Sequence, residues 1–156
     1  MMPNTWKRTV RRGRTSARGV AVVEMAIVTP VLLTLVFGII EFGWIFMSYQ
    51  TITNAAREGA RTSTLQGTTD SDVQTRVHNY VQPAGLPQYA MSSVTDVSTV
   101  SGSGLWVRHE QGDCVETVVY SVPYADVSLI GLLSPGAFDL TATCSMRKEG
   151  CTVTTP

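Results

Sequence analysis

The stretch "RGVAVVEMAIVTPVLLTLVFGIIEFGWIF", Arg18 to Phe46, decides the fold. From Met25 to Met47 the chain runs 23 residues with one charge, Glu41. At 1.5 Å per residue such a helix is about 34 Å long, enough to cross a hydrocarbon core of roughly 30 Å. One transmembrane helix is the expectation. A cleaved secretory signal fits less well, because its apolar region is shorter and ends in a small-residue cleavage site. Here the run contains Pro30 and continues into "MSYQTITNAAREGAR" with no such site. Arg11-Arg12 followed by "GRTSARG" also lacks the apolar start of a twin-arginine signal.

The charges outward from this stretch are unevenly divided. The 156 residues hold 12 basic and 12 acidic side chains. Lys7, Arg8, Arg11, Arg12, Arg14 and Arg18 all precede the apolar run, with no acid among them. The chain therefore reads as a basic leader on an acidic body. Six cations before the span and none in residues 42–53 place the N-terminus in the cytoplasm and the C-terminal domain outside it. Trp44 and Tyr49 fall where an outer aromatic belt belongs. Orientation and anchoring account for the leader more simply than nucleic-acid binding does.

Two glutamates interrupt an otherwise apolar helix, and a carboxylate at mid-bilayer costs about 2.5–3.5 kcal/mol on insertion scales. Glu24 follows a cationic leader and Gly19 by the short run "VAVVE". This order resembles the type IV prepilin processing site, in which the leader ends in Gly and the fifth mature residue is Glu. A glycine lets the backbone fit closely into a peptidase site. Cleavage between Gly19 and Val20 would remove the leader and create an ammonium on Val20, one helical turn from Glu24. Pairing these charges between neighbouring subunits would offset the burial cost of each. Glu41 is expected near the outer interface, either as a subunit contact or simply hydrated there.

Residues 20–61, with Glu24, Pro30, "GIIEFG" and "NAAREGAR" in that order, resemble the TadE-like family of the tight adherence (Flp) pilus system. The closing "LTATCSMRKE" resembles the usual ending of that family. Met25 stands where the short major Flp pilins have Tyr, and this chain is far longer than they are. The resemblance therefore implies a minor pseudopilin rather than the filament subunit. It implies prepilin peptidase, other pilin-like subunits and pilus assembly platform proteins as partners, in a bacterial inner membrane. A different class of function, a single-pass envelope protein whose head binds a ligand or polymer, is the alternative. Cleavage after Gly19 and crosslinking through the helix discriminate between the two.

Within the long helix, Pro30 frees the carbonyl of Ala26, which membrane helices tolerate where neighbours compensate. Beyond the span, Tyr49, Ile52, Ala56 and Ala60 form a helical stripe, with Asn54, Arg57, Glu58 and Arg61 off it. Ala55 with Gly59, and Ala56 with Ala60, make small-residue faces that allow a helix or sheet to approach closely, either from a partner or from this chain's own domain. The expected organisation is a leader at 1–19, a transmembrane helix at 20–49, its amphipathic continuation at 50–66 and an extracytoplasmic head at 67–156.

In the head, Val73, Val77, Tyr80 and Val81 are spaced as a helix, capped by Asp70 or Ser71 and stopped at Pro83 and Gly85. "MSSVTDVSTV" (91–100) is a candidate strand, "SGSG" (101–104) a loop, and "RHEQGD" (108–113) a polar loop. "CVETVVYSV" and "FDLTATCSMR" read as strands joined by a connection punctuated at Pro123, Pro135 and Gly136, with Leu140, Ala142, Cys144 and Met146 on one face. The fold class is thus α+β, a long helix followed by a small head with an antiparallel sheet. Cys114, Cys144 and Cys151 all lie on the oxidising side. If the last two strands pair, Cys114 and Cys144 come together, and Cys114 with Cys151 is the alternative. The spacings suit no zinc site, no cofactor is indicated, and the motifs of the common hydrolases and nucleotide-binding folds are missing. The expected role is non-catalytic.

Overall fold

The structure, a computed structural model, describes residues 17–110, 114–131 and 138–151. Most of the basic leader, the "QGD" of the polar loop, and Pro135 with Gly136 lie outside them. The chain divides into two units, Met1–Val36 and Phe37–Pro156. One helix, α1 (Ala17–Ser63), contributes to both.

In the first unit every residue from Gly19 to Val36 is exposed. A helix that is apolar all round and exposed over this stretch suits an apolar environment. Among the described residues, α1 is the one helix long and apolar enough to cross a membrane. Pro30 sits inside it. The hydroxyls of Thr29 and Thr34 donate to the carbonyls of Met25 and Pro30 at 2.6 and 2.8 Å, so neither is left as an unpaired polar group in an apolar face.

The second unit is built around the C-terminal part of α1. Ile52, Ala55, Ala56 and Ala60 are fully buried in its core, whereas Asn54, Arg57 and Arg61 face solvent. Tyr49 departs from the expected stripe and is exposed; Ser48 is buried instead. The compact unit begins inside the helix at Phe37.

Helix α2 (Asp70–Val81) buries Val73, Val77 and Val81 on one side. Its cap is Thr69 rather than Asp70 or Ser71, with Asp72 completing a reciprocal capping box. Tyr80 is half exposed, off the buried stripe. A 3-10 turn over Gln82–Ala84 ends at Gly85, whose φ of 69° is the left-handed conformation glycine adopts without strain.

Four strands follow: β1 (Met91–Ser93), β2 (Gly104–Glu110), β3 (Val115–Pro123) and β4 (Asp139–Arg147), arranged β1-β2-β3-β4. β2, β3 and β4 are antiparallel neighbours, but β1 runs parallel to β2. The sheet is therefore mixed rather than antiparallel throughout. Only three residues of the 91–100 stretch form a strand, and Val97–Thr99 make a 3-10 turn capped by Asp96. The expected polar loop at Arg108–Glu110 is instead the end of β2, paired with Val115–Thr117.

β3 is central and buried along nearly its whole length. Its Val118, Tyr120 and Val122 meet Leu105, Val107, Leu140 and Ala142 in the core with the two helices. The alternate positions carry cross-strand hydroxyl pairs, Thr117 with Ser145 at 2.8 Å and Ser121 with Thr141 at 2.7 Å. Leu140, Ala142, Cys144 and Met146 share the core-facing side of β4 as expected.

Candidate functional site

The polar side chains with the most particular surroundings lie where the connection between β3 and β4 meets α1. Glu41, on α1, is only 2 % exposed. Its Oε1 accepts from the Tyr124 hydroxyl at 2.6 Å and its Oε2 from the Ile130 backbone N–H at 2.9 Å. One turn along, the Trp44 indole N–H donates to the carbonyl of Val127 at 2.7 Å. These bonds span 83 to 89 residues of sequence and tie a short helix, α3 (Tyr124–Val127), and the residues after it to the long one.

Local chemistry sets up the arrangement. Pro123 ends β3 in extended conformation and precedes α3, whose Tyr124 carbonyl accepts from Ser128 N–H at 2.9 Å. Tyr124 N–H reaches back to the Phe138 carbonyl at 3.1 Å, and the two rings lie 5.2 Å apart. Gly131, with φ of 70°, turns the chain away after Ile130. The result is a carboxylate satisfied from within its own domain, one of the conditions under which a buried charge is tolerated. Each Glu41 oxygen thus has a hydrogen-bond donor from within the head.

The small-residue face has a similar outcome. A Cβ added at Gly59 would lie 2.8 Å from a Val77 methyl and 3.3 Å from one of Val118. Ala55, Ala56 and Ala60 are likewise fully buried. These four residues admit α2 and the central strand of the chain's own head. Beside them, Glu58 makes ion pairs with Arg61 at 2.8 Å and Arg76 at 2.7 Å. Hydrogen bonds from Arg61 and then Arg76 hold its carboxyl down to about 2.

Cys114 is bonded to Cys151, with Cα atoms 5.7 Å apart, and Cys144 is free. The expected Cys114–Cys144 bridge is corrected by strand register: Cys144 pairs with Val118, while Val115 pairs with Arg147. Cys114 therefore lies four positions along the ladder from Cys144 and opposite the chain that leads to Cys151. Lys148 N–H donates to its carbonyl at 2.7 Å, and burial pushes the Cys144 thiol up.

At the other end of α1, Gly19, Val20 and Glu24 are exposed on the helix surface. Nothing lies within 4 Å of a Cβ built at Gly19. Glu24 makes no ion pair among the described residues, and the geometry brings it together with neither Pro30 nor Glu41, which are separate features of the same helix.

A family model described as TadE-like protein matches residues 19–61. The similarity to the TadE-like family is thus confined to that segment, the apolar helix and its continuation. The match opens at Gly19 and closes at Arg61, so it takes in Glu24, Pro30, Glu41 and the small-residue face; the closing "LTATCSMRKE" lies beyond it. No curated protein and no solved structure matches the chain.

The carboxylate cluster was only half legible in the sequence. Glu41 announces itself as a charge in an apolar run, whereas Tyr124 and Ile130 carry no signal. A backbone N–H leaves no mark on composition, and a tyrosine after a proline has many uses.

Proposed function

We propose that this protein is a minor pseudopilin of a Flp-type pilus or related secretion filament. The single observation that carries the reading is the TadE-like match that opens at Gly19, the glycine of the prepilin-like processing pattern, and runs through the whole apolar helix. Prepilin peptidase cuts between Gly19 and Val20, and the released Val20 amine pairs with a Glu24 carboxylate, most usefully between subunits. The uniform exposure of Gly19–Val36 supports this role, because an exposed apolar surface suits lateral packing against other pilin-like helices.

The protein sits in the bacterial inner membrane with its head outside the cytoplasm. There it helps assemble or initiate the filament together with platform proteins, and catalyses no reaction. Cysteine crosslinking tests this directly. With Val23→Cys or Ile27→Cys in native membranes, oxidation should give adducts with cysteine-bearing pilin-like subunits. Adduct formation confined to labels on the head, with none along the helix, would favour an envelope protein whose head binds a ligand instead.

A further inference from the structure

The uncharged run between Glu24 and Glu41, Met25 to Ile40, is sixteen residues by count. As helix it covers about 24 Å, short of a hydrocarbon core of roughly 30 Å. A span that begins near Glu24 must therefore continue past Glu41 into Phe42–Phe46. Glu41 then lies at membrane depth, and so do the groups that hold it, Tyr124 and Ile130.

The head is suited to that depth. Leu129 is 55 % exposed and Phe138 42 %, with Ile130 between these values, which is unusual for large apolar side chains beside a well-formed core. On the helix, Phe42 and Phe46 are also exposed, and together with Phe138 they line one groove of about 370 Å³. The backbone here is irregular, yet three of its polar groups have internal partners: Val127 C=O takes the Trp44 indole, Ser128 N–H finds Tyr124 C=O, and Ile130 N–H finds Glu41. Irregular backbone enters a bilayer only where such groups are satisfied. The exposed acid Asp139 lines the same groove and Asp126 is exposed on α3 beside Leu129, and these two charges limit how far the patch sinks.

We propose that Leu129, Ile130 and Phe138 enter the lipid of the same leaflet as Phe42 and Phe46, so that the protein is held by a helix and by these three side chains of its head. The inference rests on the reading of α1 as a membrane span. The occupant is the acyl-chain region of the bilayer, because the patch is continuous with the helix surface that the membrane already covers.

The test uses nitroxide labels on the full chain in nanodiscs of phosphatidylcholine and phosphatidylglycerol. Cys144→Ser removes the free thiol, and single labels are placed at Leu129→Cys, Leu35→Cys and Ser98→Cys. The ratio of collisions with oxygen to collisions with a water-soluble nickel chelate reports depth. The expected result is a Leu129 ratio close to that of Leu35 and severalfold above that of Ser98. A Leu129 label as accessible to nickel as Ser98, with Leu35 still in lipid, overturns the head anchor alone. Shielding of Leu129 from both reagents, with Leu35 in lipid, overturns it in favour of a protein partner on the patch. An aqueous Leu35 overturns the membrane span and the anchor together. The same comparison at Phe138→Cys supplies a second site.

Discussion

Glu41 shows how one residue can tie distant parts of the chain. Its two oxygens each accept a bond from the segment between β3 and β4, and removing the carboxylate abolishes both the Tyr124 hydroxyl bond and the Ile130 N–H bond to it. A buried group stripped of its partner costs about 1–3 kcal/mol. Glu41→Ala should therefore lower head stability by that order, measured by denaturant unfolding in detergent. Tyr124→Phe should cost less, since Ile130 keeps its acceptor, and the double variant should lose less than the sum of the two. Glu58 gives a pH-dependent counterpart. Its carboxyl is held down to about 2 by Arg61 and Arg76. A group depressed in the folded state stabilises fully above its unfolded value near 4.5 and loses that contribution as pH falls through 4.5 towards 2. Both arginines are more than half exposed, so solvent screening reduces the effect. In Glu58→Gln the acid limb of the stability profile should flatten over this window, and an unchanged limb would remove Glu58 from the account.

Among the elements, α1 carries the sharpest packing constraint. Gly59 faces Val77 and Val118 at distances that leave no room for a methyl group. Gly59→Ala gains about 1 kcal/mol in helix propensity but overpacks a buried site at a cost of about 1–3 kcal/mol. The expected net change is a modest loss of stability, checked by thermal unfolding; a stabilised variant would mean that α2 moves away freely. At α2, Thr69→Ala should cost about 1 kcal/mol through the lost cap. The long helix, the 3.6-residue stripe of α2 and the alternation of β4 were legible because each repeats a period over many residues. β2 was not. "GLWVRHE" alternates, but its end shares charged residues with the turn that follows, and the sequence alone makes them look like loop. The parallel pairing of β1 was also hidden, since three residues carry no period and their register depends on β2. The cap moved by one residue because Asp70 and Thr69 are both good capping types, and only geometry ranks them.

For the whole molecule, the disulfide fixes the C-terminal end of the head to the start of its central strand. Cys114 and Cys151 are 37 residues apart, and closing a loop of that size restricts the unfolded chain by about 4 kcal/mol in the chain-entropy view. Cys151→Ser should destabilise the head by a few kcal/mol, whereas Cys144→Ser should be nearly neutral. A nonreducing peptide map should join the peptides of Cys114 and Cys151. Three cysteines in the sequence allowed more than one pairing, and strand register, invisible there, decided it. The most direct test of the pseudopilin account lies at the other end of the chain. It is the N-terminal sequence of the protein as it accumulates in its host's membranes. The account predicts a start at Val20, with the six leader cations gone and a free amine beside Glu24. An intact Met1 terminus in cells with an active prepilin peptidase would contradict it.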